Sequence, residues 1–202
     1  EHIIRHGRSY VTIWTDDKQL YEIRTITGNQ VQICIKSSIP PTYANGWYVG
    51  LSKGVHTYLS LVNRNHPEEM HSLSHENSTI TDIIYIPYTH WLITNAEDGC
   101  YRVEVDTRAM TLGDDIPLAD RYRLSALDTV DSSALALAHD SGHISVFWIS
   151  SWKLQHRIVS STVHCMAVNC RFLVAAVGGV HTLQVWDLVS GRILTILHVV
   201  ST

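Results

Sequence analysis

The stretch HTLQVWDLVSGR, residues 181–192, decides the fold class that the sequence predicts. Its first half is a short run rich in apolar and aromatic residues, the pattern of a β-strand. Val185 and Trp186 would face opposite sides of that strand. Asp187 ends the run, and Ser190-Gly191 supplies a turn into the next one. The stretch therefore predicts a strand, a tight turn and the start of a second strand.

Short runs of the same kind recur along the chain, and helical periodicity is nearly absent. The positions that match Trp186 are Trp14, Val62, Val105 and Phe147, so that successive positions lie 48, 43, 42 and 39 residues apart. Turns that contain glycine separate most of the runs. Propeller blades of four strands repeat at about 40–45 residues. The interval therefore predicts an all-β fold of repeated small sheets.

One dipeptide and its altered copies point to a family. Trp186-Asp187 resembles the Trp-Asp pair at the third strand of a WD-repeat blade. Segments 98–106 and 140–148 look like weakened copies, in which Val105 replaces the Trp and Trp148 replaces the Asp. The chain is thus similar to the WD-repeat β-propeller family, with divergent repeats. The resemblance implies a β-propeller of four-stranded antiparallel blades.

We expect about five blades, which span residues 1–30 (three strands only), 31–77, 78–119, 120–161 and 162–202. A seven-bladed ring needs roughly 280–315 residues, so 202 residues would form a partial ring or a fragment of a seven-bladed propeller. Three explanations stay open: truncation of a longer protein, completion of the ring by another chain, and a five-bladed closure that uses Val199-Val200 as the missing inner strand.

Composition narrows the function classes. Apolar residues make up 45% of the chain and the formal net charge is -4, so direct nucleic-acid binding is not expected. The longest apolar stretch, near residues 172–180, is about half of the ~20 residues that a bilayer span needs, and we expect no membrane insertion. Four cysteines without a C-x-x-C pair are predicted to be buried thiols in a reducing compartment. We therefore expect an intracellular location, in the cytoplasm or the nucleus.

Two motifs that mark catalytic or metal sites in other proteins have structural interpretations in this chain. Gly50–Gly54 fits G-x-S-x-G, but the run that follows alternates as a strand, whereas a nucleophile elbow needs a helix. His66, His71 and His75 fall on a predicted outer strand, where a spacing of four residues covers about 13 Å and is too long for two ligands of one ion. We predict no catalytic residues, no bound cofactor and no metal site.

The sequence favours a non-catalytic protein–protein interaction scaffold, a WD-repeat subunit of an intracellular multiprotein complex. The alternative is a module that recognises a peptide or substrate, such as a ubiquitin-ligase substrate receptor. Resemblance to the family implies that partners bind the turns between second and third strands and the loops between blades. Trp152 is a further candidate, because it is the tryptophan most expected to be exposed, in the turn at residues 150–152. The partner-binding candidates are Arg8, Lys53, His75, Glu97, Asp98, Asp140, His143, Trp152 and His181.

Overall fold

The fold is built from strands throughout the described part of the chain. The computed structural model describes residues 2–6, 10–24, 30–35, 37–53, 57–75, 80–128, 130–178 and 182–198. These residues form 21 β-strands and no helix, so none of them provides a helix able to cross a membrane. The strands make five antiparallel sheets, and the all-β prediction is confirmed. The chain divides into two compact units, residues 1–117 and 118–202.

The first sheet has four strands, one more than the sequence analysis assigned to it. Its strands, in spatial order, are β1 (His2–His6), β2 (Tyr10–Trp14), β3 (Leu20–Arg24) and β4 (Gln30–Ile33). The prediction of only three strands was wrong, because β4 pairs with β3 instead of opening the second sheet. The alternation of a short strand identifies the strand but not its partner.

The first unit also contains the second and third sheets. The second sheet has the order β5 (Thr42–Ala44), β6 (Trp47–Lys53), β7 (Thr57–Asn63) and β8 (His66–His75). The third sheet follows as β9 (Asp82–Tyr85), β10 (Trp91–Asn95), β11 (Cys100–Asp106) and β12 (Thr111–Leu112), and the short β13 (Ile116–Ala119) pairs with β11. Each main path is a meander in which sequence neighbours are spatial neighbours.

The second unit contains the fourth and fifth sheets, which are meanders of the same kind. The fourth sheet comprises β14 (Leu124–Leu127), β15 (Ala134–His139), β16 (His143–Trp148) and β17 (Lys153–Val159). The fifth comprises β18 (Val163–Val168), β19 (Phe172–Val177), β20 (Thr182–Asp187) and β21 (Arg192–His198). Residues 182–191 form β20 and the turn that follows it, so the alternation of this stretch correctly predicted a strand.

Consecutive sheets within each unit bury apolar faces against one another. Trp14 of the first sheet packs with Tyr48 and Val62 of the second. The second and third sheets share a core that includes Leu59 and Leu92, both with no exposed surface. Burying a side chain of this size contributes roughly 1.5–3 kcal/mol. The sheets of the first unit are thus held together mainly through their faces.

The second unit repeats this arrangement. Ile144 and Val146 of the fourth sheet share a core with Leu173 and Trp186 of the fifth. Trp186 is 3% exposed, so this tryptophan belongs to the core. The first strand of the fifth sheet, β18, lies against β14 and β15, as β9 lies against β5 and β6 in the first unit. Both units therefore use the same stacking of a first strand on the two first strands of the preceding sheet.

Polar side chains also tie neighbouring sheets together at their edges. In the first unit, the Asn45 side chain accepts a hydrogen bond from Tyr88 N at 2.7 Å and donates one to the Thr89 carbonyl at 2.5 Å. In the second unit, His156 Nε2 donates to the Leu188 carbonyl at 2.5 Å, and Arg123 donates to the Val163 carbonyl. These bonds give backbone groups at turns and strand ends a partner on the next sheet.

The cysteine prediction was wrong for three of the four residues. Cys100 is buried, and burial followed by the nearby Asp82 raises its pKa to about 12. Cys34, Cys165 and Cys170 are exposed. All four thiols are free. The sequence showed that they were too scattered for a disulfide framework, but burial depends on which face of a sheet each residue occupies.

Gly191 is predicted to be intolerant of a side chain, because it has a φ of +69° and an added Cβ would lie 2.8 Å from two ring atoms of His156. Gly191→Ala should lower the free energy of unfolding by about 2–4 kcal/mol, since backbone strain and displacement of His156 act together. Gly178→Ala is the matched control: φ is +76°, but the nearest atom is 3.4 Å away. Urea unfolding of both variants measures the difference, and equal losses would contradict the assigned role of His156.

The side-chain hydrogen bonds of Asn45 should stabilise the protein more than its left-handed backbone conformation destabilises it. Its φ of 54° lies in the left-handed region, where glycine normally relieves strain. Asn45→Gly should nevertheless destabilise the protein by about 1–2 kcal/mol, because it removes the bonds to Tyr88 and Thr89. Lys18→Gly, at an exposed turn residue with a φ of 60°, should be close to neutral. Thermal unfolding compares them, and a stabilising Asn45→Gly would refute the proposed tie.

Candidate functional site

The predicted partner-binding residues occupy different kinds of position. Glu97 and Asp98 are exposed in the turn between β10 and β11, and Asp140 is exposed in the turn between β15 and β16. Trp152 is partly exposed in the turn between β16 and β17. His143, in contrast, is only 7% exposed. The three carboxylates are therefore accessible at the surface, whereas the His143 side chain is buried.

The remaining predicted residues lie at strand ends or outside the described residues. Arg8 and His181 lie outside the described residues. Lys53 is the last residue of β6 and His75 the last residue of β8, but only their backbone positions are described. Since β8 is an edge strand of its sheet, the prediction that His66, His71 and His75 fall on an outer strand is confirmed.

The most unusual group of side chains holds the turn between β15 and β16. His139 and His143 are directly opposite each other where the two strands meet. Their rings stack with centroids 4.2 Å apart and planes inclined by 19°. Both are buried, with exposures of 6% and 7%. Two adjacent buried imidazoles are unusual, because a charge on either ring would be poorly solvated.

Hydrogen bonds occupy both ring nitrogen atoms of His139. Its Nδ1 is 3.0 Å from the Arg121 carbonyl oxygen, which only accepts, so Nδ1 carries a proton. Its Nε2 is 3.0 Å from Ser145 Oγ, and in a neutral ring it accepts from that hydroxyl. Since Ser145 is 5% exposed, this serine–histidine pair lies inside the sheet, where it stabilises the hairpin.

Two neighbouring side chains approach His143 Nδ1. Ser141 Oγ lies 2.7 Å away, and an Arg157 guanidinium nitrogen lies 3.5 Å away. The Ser141 hydroxyl can donate or accept, whereas a guanidinium only donates. Burial, then His139 and Arg157, hold the pKa of His143 below its usual range, while Asp120 acts in the opposite direction. Neutral pH thus leaves this ring uncharged.

The outer surface of the same turn carries an ion pair. Asp140 Oδ1 is 3.6 Å from Arg123 Nε, and both side chains are largely exposed. An exposed pair of this kind contributes little stability, about 0–1 kcal/mol. Arg123 also donates to the Val163 carbonyl of the fifth sheet. The pair therefore orients Asp140 at the tip of the turn instead of securing the fold.

A second polar cluster has atoms that suit a metal ion. Among the described residues, one oxygen each of Asp128 and Asp131 and the sulfur of Cys170 lie within 4.8 Å of one another. The Asp128 carboxylate already accepts from Val130 N at 3.0 Å and from Ser133 Oγ at 2.9 Å. A hydrogen bond with Asp128, followed by one with Ser133, holds the pKa of Asp131 below its usual range. The Asp128 carboxylate therefore already stabilises the connection between β14 and β15 through its hydrogen bonds.

The fifth sheet presents an apolar face on its side away from Trp186, called here the far face. Strand register places Val174 beside Val185 and Ala176 beside Leu183 on this face. All four residues are half-buried. Leu197, which is 51% exposed, extends the row onto β21. An apolar face of this extent is typical of surfaces that contact other proteins.

Comparison with family models and with curated proteins finds no match for this chain. Function therefore has to be argued from the geometry above.

Sequence reasoning missed His139 and Ser145. The turn Asp140-Ser141-Gly142 was noticed because turn formers are visible locally. His139 and Ser145 look like ordinary strand residues, and their contact depends on the exact pairing of β15 with β16. Two histidines four residues apart across a short turn were the available signal, since closing the hairpin brings them face to face.

Ser145→Ala should reveal how much the buried network contributes. The change removes the hydroxyl that donates to His139 Nε2 and leaves a buried acceptor without a partner, which costs about 1–3 kcal/mol. Ser150→Ala, in an exposed turn of the same sheet, is the control and should change stability by less than about 0.5 kcal/mol. Chemical denaturation at pH 7.5 measures both variants. Equal stabilities would show that the His139–Ser145 bond has no energetic role.

Proposed function

We propose that this chain is part of a WD-repeat-like β-propeller and serves as a non-catalytic protein–protein interaction scaffold in an intracellular multiprotein complex. The far face of the fifth sheet is the observation that carries the proposal. The opposite face of that sheet, with Leu173 and Trp186, is buried against the fourth sheet. A sheet that stacks through one apolar face and exposes a second is suited to stack again.

The partner surface expected on the far face is another β-sheet. The fourth sheet covers the near face through small and branched residues, among them Ala136, Ala138 and Val146. The far face has similar chemistry in Val174, Ala176 and Val185, and its charged residue, Asp187, lies at the end of β20. We therefore propose that a sheet of similar composition, supplied by another protein chain, packs on it and removes its apolar surface from water.

The exposed turns would supply specificity in this scaffold. Glu97, Asp98 and Asp140 project from turns that join second and third strands. Turns held by rigid sheets lose little conformational freedom on binding, which favours affinity. These carboxylates would select partners with complementary basic groups, mainly by steering and by disfavouring acidic surfaces.

Purification from the cells that make the protein tests the proposal. The tagged protein should retain a reproducible, stoichiometric set of protein partners, which mass spectrometry identifies and quantifies. Leu197→Glu on the far face should reduce the recovery of at least one partner fivefold or more, because it places a charge in an apolar interface. Val189→Glu, a change at a 73% exposed valine in the turn between β20 and β21, is the matched control.

Circular dichroism must show that both variants remain folded. Unchanged recovery of every partner with Leu197→Glu would refute the far-face proposal. Substoichiometric partners that bind through a linear peptide would favour the alternative, a peptide-recognition module.

A further inference from the structure

The turn between β15 and β16 is closed by ionisable groups. His139 and His143 stack across the base of the turn. Two backbone hydrogen bonds hold the same turn: Gly142 N donates to the His139 carbonyl at 3.1 Å, and Ser160 N donates to the Gly142 carbonyl at 3.0 Å. The exposed Asp140 sits at the tip. The stacked rings and the exposed carboxylate therefore belong to one turn.

The surroundings of His143 disfavour a positive charge on it. Its own strand carries no other titratable residue, and the paired strand β15 contributes His139. On the other side, β17 contributes Arg157, 3.5 Å from His143 Nδ1, as well as Lys153 and His156 farther along the strand.

The segment before β14 adds charges of both signs. Asp120 favours protonation of His143, whereas Arg121 presents its carbonyl to His139. Arg123 is partnered by Asp140. The nearest charged contact of His143 is thus a cation.

We propose that the stacked His139–His143 pair is a proton-sensitive latch, which keeps the turn between β15 and β16 closed while both rings are neutral and releases it when His143 takes up a proton. The reason is geometric. A positive charge on His143 would lie 3.5 Å from the Arg157 guanidinium and would be buried against the face of His139. Rotation of His143 toward water relieves both problems but breaks the stack.

The latch needs only one proton, on His143. Its Nδ1 could donate that proton to Ser141 Oγ, 2.7 Å away, because a hydroxyl also accepts. The charge would still lie beside the Arg157 guanidinium, 3.5 Å from Nδ1, and against the His139 ring.

The direction of the pH effect follows from linkage. The pKa of His143 is lower in the folded protein than the ordinary value of 6.5, so the open turn binds more protons than the closed one. Closure is complete above pH 6.5 and is lost progressively as the pH falls below this value. With one proton involved, the opening equilibrium constant can rise at most about tenfold per pH unit.

Hydrogen exchange on the intact protein tests the latch. The amides of Gly142 and Ser160 should open more readily at pH 5.5 than at pH 7.5, by about three- to tenfold after correction for intrinsic exchange rates. Amides of the β6–β7 hairpin, in the first unit, are the internal reference and should show no such change. No acid-induced opening at Gly142 and Ser160, or equal opening at the reference amides, would overturn the proposal.

Two variants separate titration of His143 from general acid sensitivity. His143→Asn retains a hydrogen-bond acceptor but has no group that titrates in this range, so the acid-induced opening should disappear. His164→Asn, at an exposed histidine of β18, should keep the wild-type pH response.

Arg157→Gln keeps a donor near His143 Nδ1 without the charge. It should reduce the acid-induced opening, because without the cation the closed turn holds a proton on His143 at a lower free-energy cost. If His143→Asn does not fold, this reduction decides between the outcomes. An opening profile unchanged by Arg157→Gln would then reject the latch. The latch goes beyond the scaffold role, and it would stand even if no partner bound this turn.

Discussion

The stacking of one sheet on the next is the interaction on which the rest of the structure depends. A four-stranded meander of this size has two faces and cannot shield both by itself. In the first unit, β9 lies against β5 and β6, and in the second, β18 lies against β14 and β15. The buried residues at these contacts are apolar and closely spaced. Each sheet is therefore stable because its neighbour is present, as expected for repeat proteins, whose stability arises largely from contacts between adjacent repeats.

Apolar stacking alone would allow neighbouring sheets to slide, because dispersion and hydrophobic contacts have little directional preference. The polar ties supply the missing direction. Asn45 bonds both a backbone amide and a backbone carbonyl of the next sheet, so it defines one relative position of the two turns. His156 and Arg123 do the same in the second unit with the carbonyls of Leu188 and Val163. Each of these bonds adds only about 0.5–1.5 kcal/mol to stability. Their larger effect is to fix the position of one sheet relative to the next.

Sequence patterns predicted the positions of the strands better than they predicted which strands pair with each other. Alternation located β2, β16 and β20, and the glycine-containing turns separated them, because both signals are local. Assignment of β4 to the wrong sheet has a simple cause: Gln30–Ile33 has the same appearance whichever neighbour it pairs with. The exposure of Cys165 and Cys170 and the contact between His139 and Ser145 were also out of reach, since each depends on tertiary packing or strand register. The position of Asp140 in an exposed turn, a local property, was predicted from its sequence neighbours alone.

Equivalent turns in the third and fourth sheets are stabilised by different groups. In the third sheet, the turn between β10 and β11 closes with a backbone bond from Ala96 N to the Gly99 carbonyl at 2.8 Å. Nearby, the buried Thr94 hydroxyl has no hydrogen-bond partner among the described residues. In the fourth sheet, His139 gives Ser145 a partner and packs on His143, so the Ser145 hydroxyl at the base of that turn is satisfied. The same arrangement makes the turn sensitive to protons, because a charge on the buried His143 ring is disfavoured and its pKa is held below the usual range. A turn closed by backbone bonds and apolar contacts, such as that between β10 and β11, should present its carboxylates in the same way at any pH that leaves the fold intact.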